Sequence, residues 1–187
     1  MAALLRTSNI VLRDDDLILR PLTEHDWPPL YRWNRDLEVL WFTDRAAEPF
    51  SLSKTQEIYR TVSQQAHCFI IKCQGRAIGE CWLQRMNMAR ILSTRPDEDC
   101  RRIDLAIGES RWRGRGLGTR VIGMLVRFAF EDAADTVFGI VGEHNRRSIR
   151  AFEKNGFREV HREPDADGAF MIDLALSRTS RVSPITM

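Results

Sequence analysis

The segment RWRGRGLGTR, from Arg111 to Arg120, sets arginines among glycines directly ahead of an apolar run. With a strand ending near Glu109 and a helix starting near Gly116, the loop aims several backbone N–H groups at one point, with the positive end of the helix behind them. That is the chemistry of a phosphate cradle. Glycines at 114, 116 and 118 let the backbone approach phosphate oxygens without a Cβ in the way, and Arg113, Arg115 and Arg120 add charge-assisted donors. Spacing excludes two other phosphate loops. The third glycine of Gly114-Arg115-Gly116-Leu117-Gly118 stands one residue too early for the dinucleotide G-x-G-x-x-G, no acid follows about 20 positions on, and no G-K-[ST] follows for a P-loop. The plain structural alternative is a tight turn with a solvated arginine face.

Two carboxylates near this loop also have chemical potential. Asp104 interrupts Arg102 to Gly108, a strand pattern in which Ile103, Leu105 and Ile107 face one side and Asp104 and Ala106 the other. Glu80 follows Gly79 within the β-rich run Ala77 to Arg85. An acid buried unpaired in an apolar strand is costly, so each is either functional or paired with a nearby arginine. Glu109, adjacent to the loop, reads as structural.

The elements that must position these groups follow from periodicity. A short strand, Leu17 to Pro21, precedes Thr23, which can cap a helical pair filling Glu24 to Leu40. Ser53-Lys54-Thr55-Gln56 reads as a capping box for a helix to about Gln65. Cys68 to Cys73 and Ala77 to Arg85 form an antiparallel hairpin turning at Gln74-Gly75-Arg76. Asn87 to Cys100 reads as a solvated loop, with a substrate-facing lid as the sharper alternative. The strand Arg102 to Gly108, the glycine loop, a helix from Gly116 to Ala133 and the strand Thr136 to Val141 make a βαβ unit. A helix from Asn145 to Asn155 closes at Gly156, and strands Phe157 to His161 and Ala169 to Leu176 follow. Ser177 to Met187 is expected to be a frayed tail.

Composition bounds the function classes. The chain has 187 residues, 43% hydrophobic and 29% charged, which fits one α/β domain able to fold alone. A formal net charge of +2 is too small for a generic nucleic-acid binder, while six arginines between Arg101 and Arg120 point to a localised anionic ligand. The N-terminal residues do not resemble a signal peptide and no apolar run approaches the ~18 residues of a membrane span, so a cytoplasmic protein is expected. Cys68, Cys73, Cys81 and Cys100 form no C-x-x-C pair and read as small core hydrophobes, with no metal site.

Arg113-x-x-Gly116-x-Gly118 between strand and helix resembles the acetyl-CoA loop of the GNAT superfamily of N-acetyltransferases. Asn145 to Phe157, NRRSIRAFEKNGF, resembles a second element of that superfamily, N-x-x-(S/A)-x-x-x-(Y/F/L)-E-K-x-G-F. The resemblance covers about residues 17 to 176. It implies a mixed, mostly antiparallel sheet whose two parallel central strands splay apart to admit the pantetheine arm. It assigns the pyrophosphate to Arg113, Gly114, Arg115, Gly116, Leu117 and Gly118, makes Asn145 a hydrogen-bond partner of the pantetheine arm, and adds Ile107, Thr119 and Phe152 to the acetyl-CoA-binding residues.

Acetyl transfer to an amine requires positioning, deprotonation of an ammonium and stabilisation of an oxyanion. Asp104 and Glu80 are the candidate bases, and backbone N–H groups around Ile107 the candidate oxyanion donors. LRPLTEHDWPPLYRW is similar to the aminoglycoside 6'-N-acetyltransferases, in which an aspartate ten residues before the first loop glycine contacts a substrate ammonium; Asp104 stands ten before Gly114. Trp33, Trp41, Asp44, Trp82, Asp104 and the acidic run Asp97 to Asp99 are the candidate groups for a cationic amino sugar. Many relatives carry a tyrosine acid where this chain has Phe152. Because a thiol of pKa near 8.5 leaves tolerably well, the enzyme reading survives that change. A ribosomal-protein-type N-terminal acetyltransferase is the alternative acceptor class. A non-catalytic acyl-CoA sensor and a nucleic-acid module are the other classes, and a monomer and a homodimer are both open.

Overall fold

Strands form where apolar residues alternate or run continuously, and the computed structural model, which describes residues 3–165 and 167–181, joins eight of them into one sheet. They are β1 (Leu12–Asp14), β2 (Leu17–Pro21), β3 (Ala66–Cys73), β4 (Arg76–Arg85), β5 (Cys100–Ala106), β6 (Thr136–Gly142), β7 (Arg158–Pro164) and β8 (Phe170–Ser177), in the spatial order β1-β2-β3-β4-β5-β6-β8-β7. Every neighbouring pair is antiparallel except β5–β6. Six helices flank the sheet: α1 (Trp27–Trp33), α2 (Leu37–Thr43), α3 (Leu52–Ser63), α4 (Ala89–Thr94), α5 (Leu117–Glu131) and α6 (Arg146–Glu153).

Both faces of the sheet are covered. On one, α5 buries Leu117, Val121, Met124 and Leu125 against Phe69, Ile71, Ile103 and Val137. On the other, α1 and α3 pack Trp27, Leu30, Trp33 and Tyr59 against Cys68 and Ile70. The alternation expected in β5 is observed, with Ile103 in the α5 layer and Asp104 bonded to Trp82 on the opposite face. All four cysteines are free and buried, and desolvation pushes the Cys68 thiol up to about 12. No helix among the described residues is long and apolar enough to cross a membrane.

The parallel pair parts after three residues. β5 meets β6 only at Cys100↔Thr136, Arg101↔Val137 and Arg102↔Phe138. Beyond that, β5 stays with β4 to Ala106 and β6 with β8 to Gly142, so a gap opens toward the C-terminal ends of both strands. Phe152 of α6 seats its ring on β6 at Gly139, where any Cβ would overlap the ring. The ring is fully buried and edge-on to Phe157 at 4.9 Å, so it has nowhere to retreat. Gly139→Ala is therefore expected to lower stability by about 1–3 kcal/mol, a fall in Tm of roughly 3–10 °C, with partial recovery in the Gly139→Ala/Phe152→Leu double variant. Thermal unfolding of the three proteins checks this, and an unchanged Gly139→Ala transition contradicts it.

Several boundaries differ from expectation. The cap of α3 is Ser51, whose Oγ accepts from Lys54 N at 3.1 Å, and Ser53 lies inside the helix. Asn87 to Cys100 is not a solvated loop throughout: α4 forms within it because Ile91 and Met88 find a small apolar cluster with Phe138 and Cys100. Arg90 then ion-pairs the buried Asp173 of β8. Asp97 to Asp99 precede β5 and so lie at the end of the sheet opposite the gap, where Glu98 bonds Thr136 and Asp99 pairs with Arg101. They cannot serve an acceptor in the gap. Arg178–Arg181 form one 3-10 turn, and residues 182–187 of the expected tail lie outside the described residues.

Candidate active site

A cavity of about 560 Å³ occupies the gap between β5 and β6, bounded by α2, the 113–119 loop and α6. Gly114 and Gly116 adopt φ of +75° and +76°, the left-handed region in which a side chain is strained, and they turn the chain into α5. The amides from Gly114 to Thr119 donate to no protein acceptor among the described residues. Those of Leu117, Gly118 and Thr119 belong to buried or partly buried residues and those of Gly114 to Gly116 to exposed ones, and a run of free donors at the positive end of a 15-residue helix suits an anionic ligand.

The arginine side chains do not all follow. Arg113 donates Nε to Ile107 O at 2.9 Å and Nη2 to Gly108 O and Asp36 Oδ2, each at 2.8 Å. Its guanidinium thus fastens the end of β5 to the start of α2 instead of extending into the cradle. Arg120 is held by Asp14, Asp16 and Asp14 O in the β1–β2 hairpin. Of the three, only Arg115 makes no ion pair among the described residues, and its guanidinium lies 5.3 Å from the Trp112 ring centroid. The correction is physical: carboxylates distant in sequence compete for the same donors.

The carboxylates gather at the other wall. Because Trp82 opposes Asp104 and Glu80 opposes Ala106, strand pleating puts Glu80, Trp82 and Asp104 on one face. Asp104 Oδ2 accepts from Trp82 Nε1 at 2.9 Å and from Arg102 Nε at 2.7 Å, leaving Oδ1 without a protein donor among the described residues. Desolvation raises its pKa despite those donors. Glu80 is 6% exposed and its Oε2 has no hydrogen-bond partner among the described residues. Burial, reinforced by Asp104 and Asp44, pushes the Glu80 carboxyl well up. Asp44, at the end of α2, also lines the cavity.

Glu80 carries a stability consequence. A raised folded pKa means that the native state binds the proton more tightly than the unfolded chain, so stability falls as pH rises above the ordinary carboxyl value of 4.5. Glu80→Gln, which mimics the neutral form, is expected to be more stable than the parent at pH 7 and to lose that advantage near pH 4. Urea midpoints at the two pH values test it, and equal differences at both refute it.

The remaining candidates divide. Trp33 lines the cavity but is a buried anchor, its ring covering Gly108 and its Nε1 donating to Glu109 Oε1 at 3.0 Å. Trp41 is 48% exposed and stands outside the cavity wall, tilted against His144 at 5.6 Å. Trp82 meets Tyr59 edge-on at 5.9 Å inside the wall. Asn145 caps α6 through Oδ1 and donates Nδ2 to Phe42 O at 3.3 Å. Ile107, Leu117, Gly118, Thr119 and Phe152 line the cavity, and the Ile107 amide has no acceptor among the described residues. Asp36, Glu38 and His144 went unnoticed in the sequence; they bind α2 to Arg113 of the glycine loop and to the segment ahead of α6. Asp36 had a local signal, since its carboxylate caps α2 by accepting from Glu38 N at 2.9 Å. No group of three or more His, Cys, Asp or Glu among the described residues is placed to hold a metal ion.

Residues 16–158 match the acetyltransferase (GNAT) domain family. The chain belongs to the GNAT acetyltransferase family. It is an N-acetyltransferase with acetyl-CoA as cosubstrate, and its free loop amides and splayed central strands suit that ligand. An aminoglycoside N(6')-acetyltransferase type 1 of Serratia marcescens is 30% identical over 179 residues, spanning 90% of this chain and 89% of its own. The protein of the same name from Klebsiella pneumoniae is 30% identical over 181 residues, 91% of this chain and 90% of its own. The solved structure of AAC(6')-Ib with ribostamycin and coenzyme A superposes on this acetyltransferase with a TM-score of 0.77 at 26% identity, over 91% of this chain and 99% of that one.

Proposed function

We propose that this acetyltransferase acts on a primary amine of an aminoglycoside-like amino sugar, the 6'-amine, in the cytoplasm. The observation that carries the reading is the presence of Asp44 and Asp104, with the buried Glu80 on the same strand face as Asp104, on one wall of the cavity that the loop amides border on the other. Such a cavity is acidic toward a polycationic acceptor and positive toward an anionic donor. Trp82 and Tyr59 supply aromatic faces beside the carboxylates. The names of the two 30% identical relatives support the same acceptor class.

Asp104 Oδ1 receives the acceptor ammonium and takes its proton, directly or through one water. Desolvation makes that carboxylate a stronger base than one in solution. The amine nitrogen then bonds to the acetyl carbon, the C–S bond breaks and the thiolate leaves with its electron pair, while the second nitrogen proton passes through solvent to that thiolate. The Ile107 N–H, free of a protein acceptor, is placed to meet the oxyanion where the strands have parted. With Phe152 in place of a tyrosine, no hydroxyl at that position protonates the thiolate.

Thiol release measured over aminoglycosides, peptide N-termini and polyamines tests the reading. The 6'-amino aminoglycosides are expected to give the highest kcat/KM, with the product acetylated at N6'. A peptide N-terminus as the best acceptor would move the enzyme to the ribosomal-protein type. Saturable CoA binding with no amine-dependent thiol from any acceptor would make it a sensor.

A further inference from the structure

Beyond the amide loop, the cleft carries positive charge that the fold does not neutralise. Arg147, Arg150 and Lys154 of and just beyond α6 line the cavity, at spacings of three and four residues that put them on one face of the helix. Arg147 is engaged, 3.6 Å from Glu38 and 4.9 Å from the Phe42 ring centroid. Arg150 and Lys154 pair with no carboxylate among the described residues. Arg45 and Arg113, the other arginines of the cavity wall, are both ion-paired.

Their position relative to the cradle is fixed by one contact. Asn155 donates Nδ2 to Thr119 O at 3.0 Å, which docks the C-terminal end of α6 against the first turn of α5. Lys154 is the neighbour of Asn155, and Thr119 ends the run of free amides. The end of α6 presented there is its carbonyl end, whose dipole repels anions, so any attraction must come from the side chains. The cleft thus holds two kinds of anion donor, backbone amides in the loop and side-chain cations beside them. Acetyl-CoA carries two kinds of phosphate, a pyrophosphate and a separate monophosphate on the ribose.

We propose that Arg150 and Lys154 form a second anion subsite that binds the ribose 3'-phosphate of the cosubstrate. The inference rests on the loop holding the pyrophosphate. It gives the two cations a specificity role, since a donor lacking the 3'-phosphate keeps the cradle contacts and loses only these.

Titration calorimetry of the full chain with CoA and with 3'-dephospho-CoA tests it. The parent protein is expected to bind CoA about 10-fold or more tightly than dephospho-CoA, the scale of one or two charge-assisted hydrogen bonds. Arg150→Ala/Lys154→Ala is expected to bind both ligands with the affinity of the parent for dephospho-CoA, and Arg150→Lys to retain most of the preference. Equal binding of the two ligands by the parent overturns the proposal. So does a preference that persists in the double variant, or a uniform loss of both affinities, which marks a structural role. Failure of the parent to bind either ligand overturns the pyrophosphate loop itself and this subsite with it.

Discussion

Asp104→Asn is expected to lower kcat/KM for the amine acceptor by about 10²- to 10⁴-fold, the usual contribution of a general base. The substitution is nearly isosteric, and the amide oxygen can still accept from Trp82 and Arg102, so the fold should survive it. Arg102 is partly open to solvent and also reaches Asn87 Oδ1 at 3.3 Å, so it is not left as an isolated buried charge. Cofactor affinity should stay within about threefold. The loop packs on Leu105, which faces the α5 layer, whereas Asp104 faces α1 and α3. The pH profile separates a base from a mere binding carboxylate. A base must be ionised, so activity of the parent should rise with pH through the raised pKa of Asp104, and that limb should vanish in the variant. Steady-state thiol release across pH is the measurement, and a variant within threefold of the parent would remove Asp104 from the mechanism.

Gly116→Val should raise the Kd for CoA by about 10- to 100-fold with little change in Tm. A Cβ at this position meets nothing within 4 Å, so protein packing does not oppose the substitution. Backbone conformation does: at φ +76° a β-branched residue costs on the order of 1–3 kcal/mol. The exposed loop can relax in the free protein, so the cost is met when the ligand demands the left-handed turn. Gly118→Ala is the contrast. Gly118 has no positive φ, and its Cβ would make an ordinary 3.6 Å contact with Leu105, so Ala there should be tolerated and can firm the first turn of α5. Calorimetric titration of both variants decides it, with equal effects from the two refuting a conformational origin.

The cradle was legible because glycine spacing and helical periodicity are local. The same holds for the faces of β5, where strict alternation separates Ile103 from Asp104. The roles of Arg113 and Arg120 were not legible, since Asp36 and Asp14, 77 and 106 residues away, compete for those guanidinium groups only once the chain is folded. Strand direction explains the error over Asp97 to Asp99: residues feeding the start of β5 stand a full strand length from a gap at its end. Exposure is equally non-local, and Trp33, Trp41 and Trp82 look alike in sequence although Trp33 and Trp82 border the cavity, Trp33 as a buried anchor, while Trp41 lies on the surface outside it.

The guanidinium of Arg113 joins the last residues before the cradle to Asp36 and Glu38 at the head of α2, whose far end carries Asp44. Acceptor range and cofactor affinity are therefore expected to be linked in this enzyme. Substitutions selected at Asp36 or Glu38 for a new amine will also shift the KM for acetyl-CoA. Engineering that aims to broaden the acceptor alone belongs at Asp44 and Trp82, which line the cavity and which the arginine does not touch.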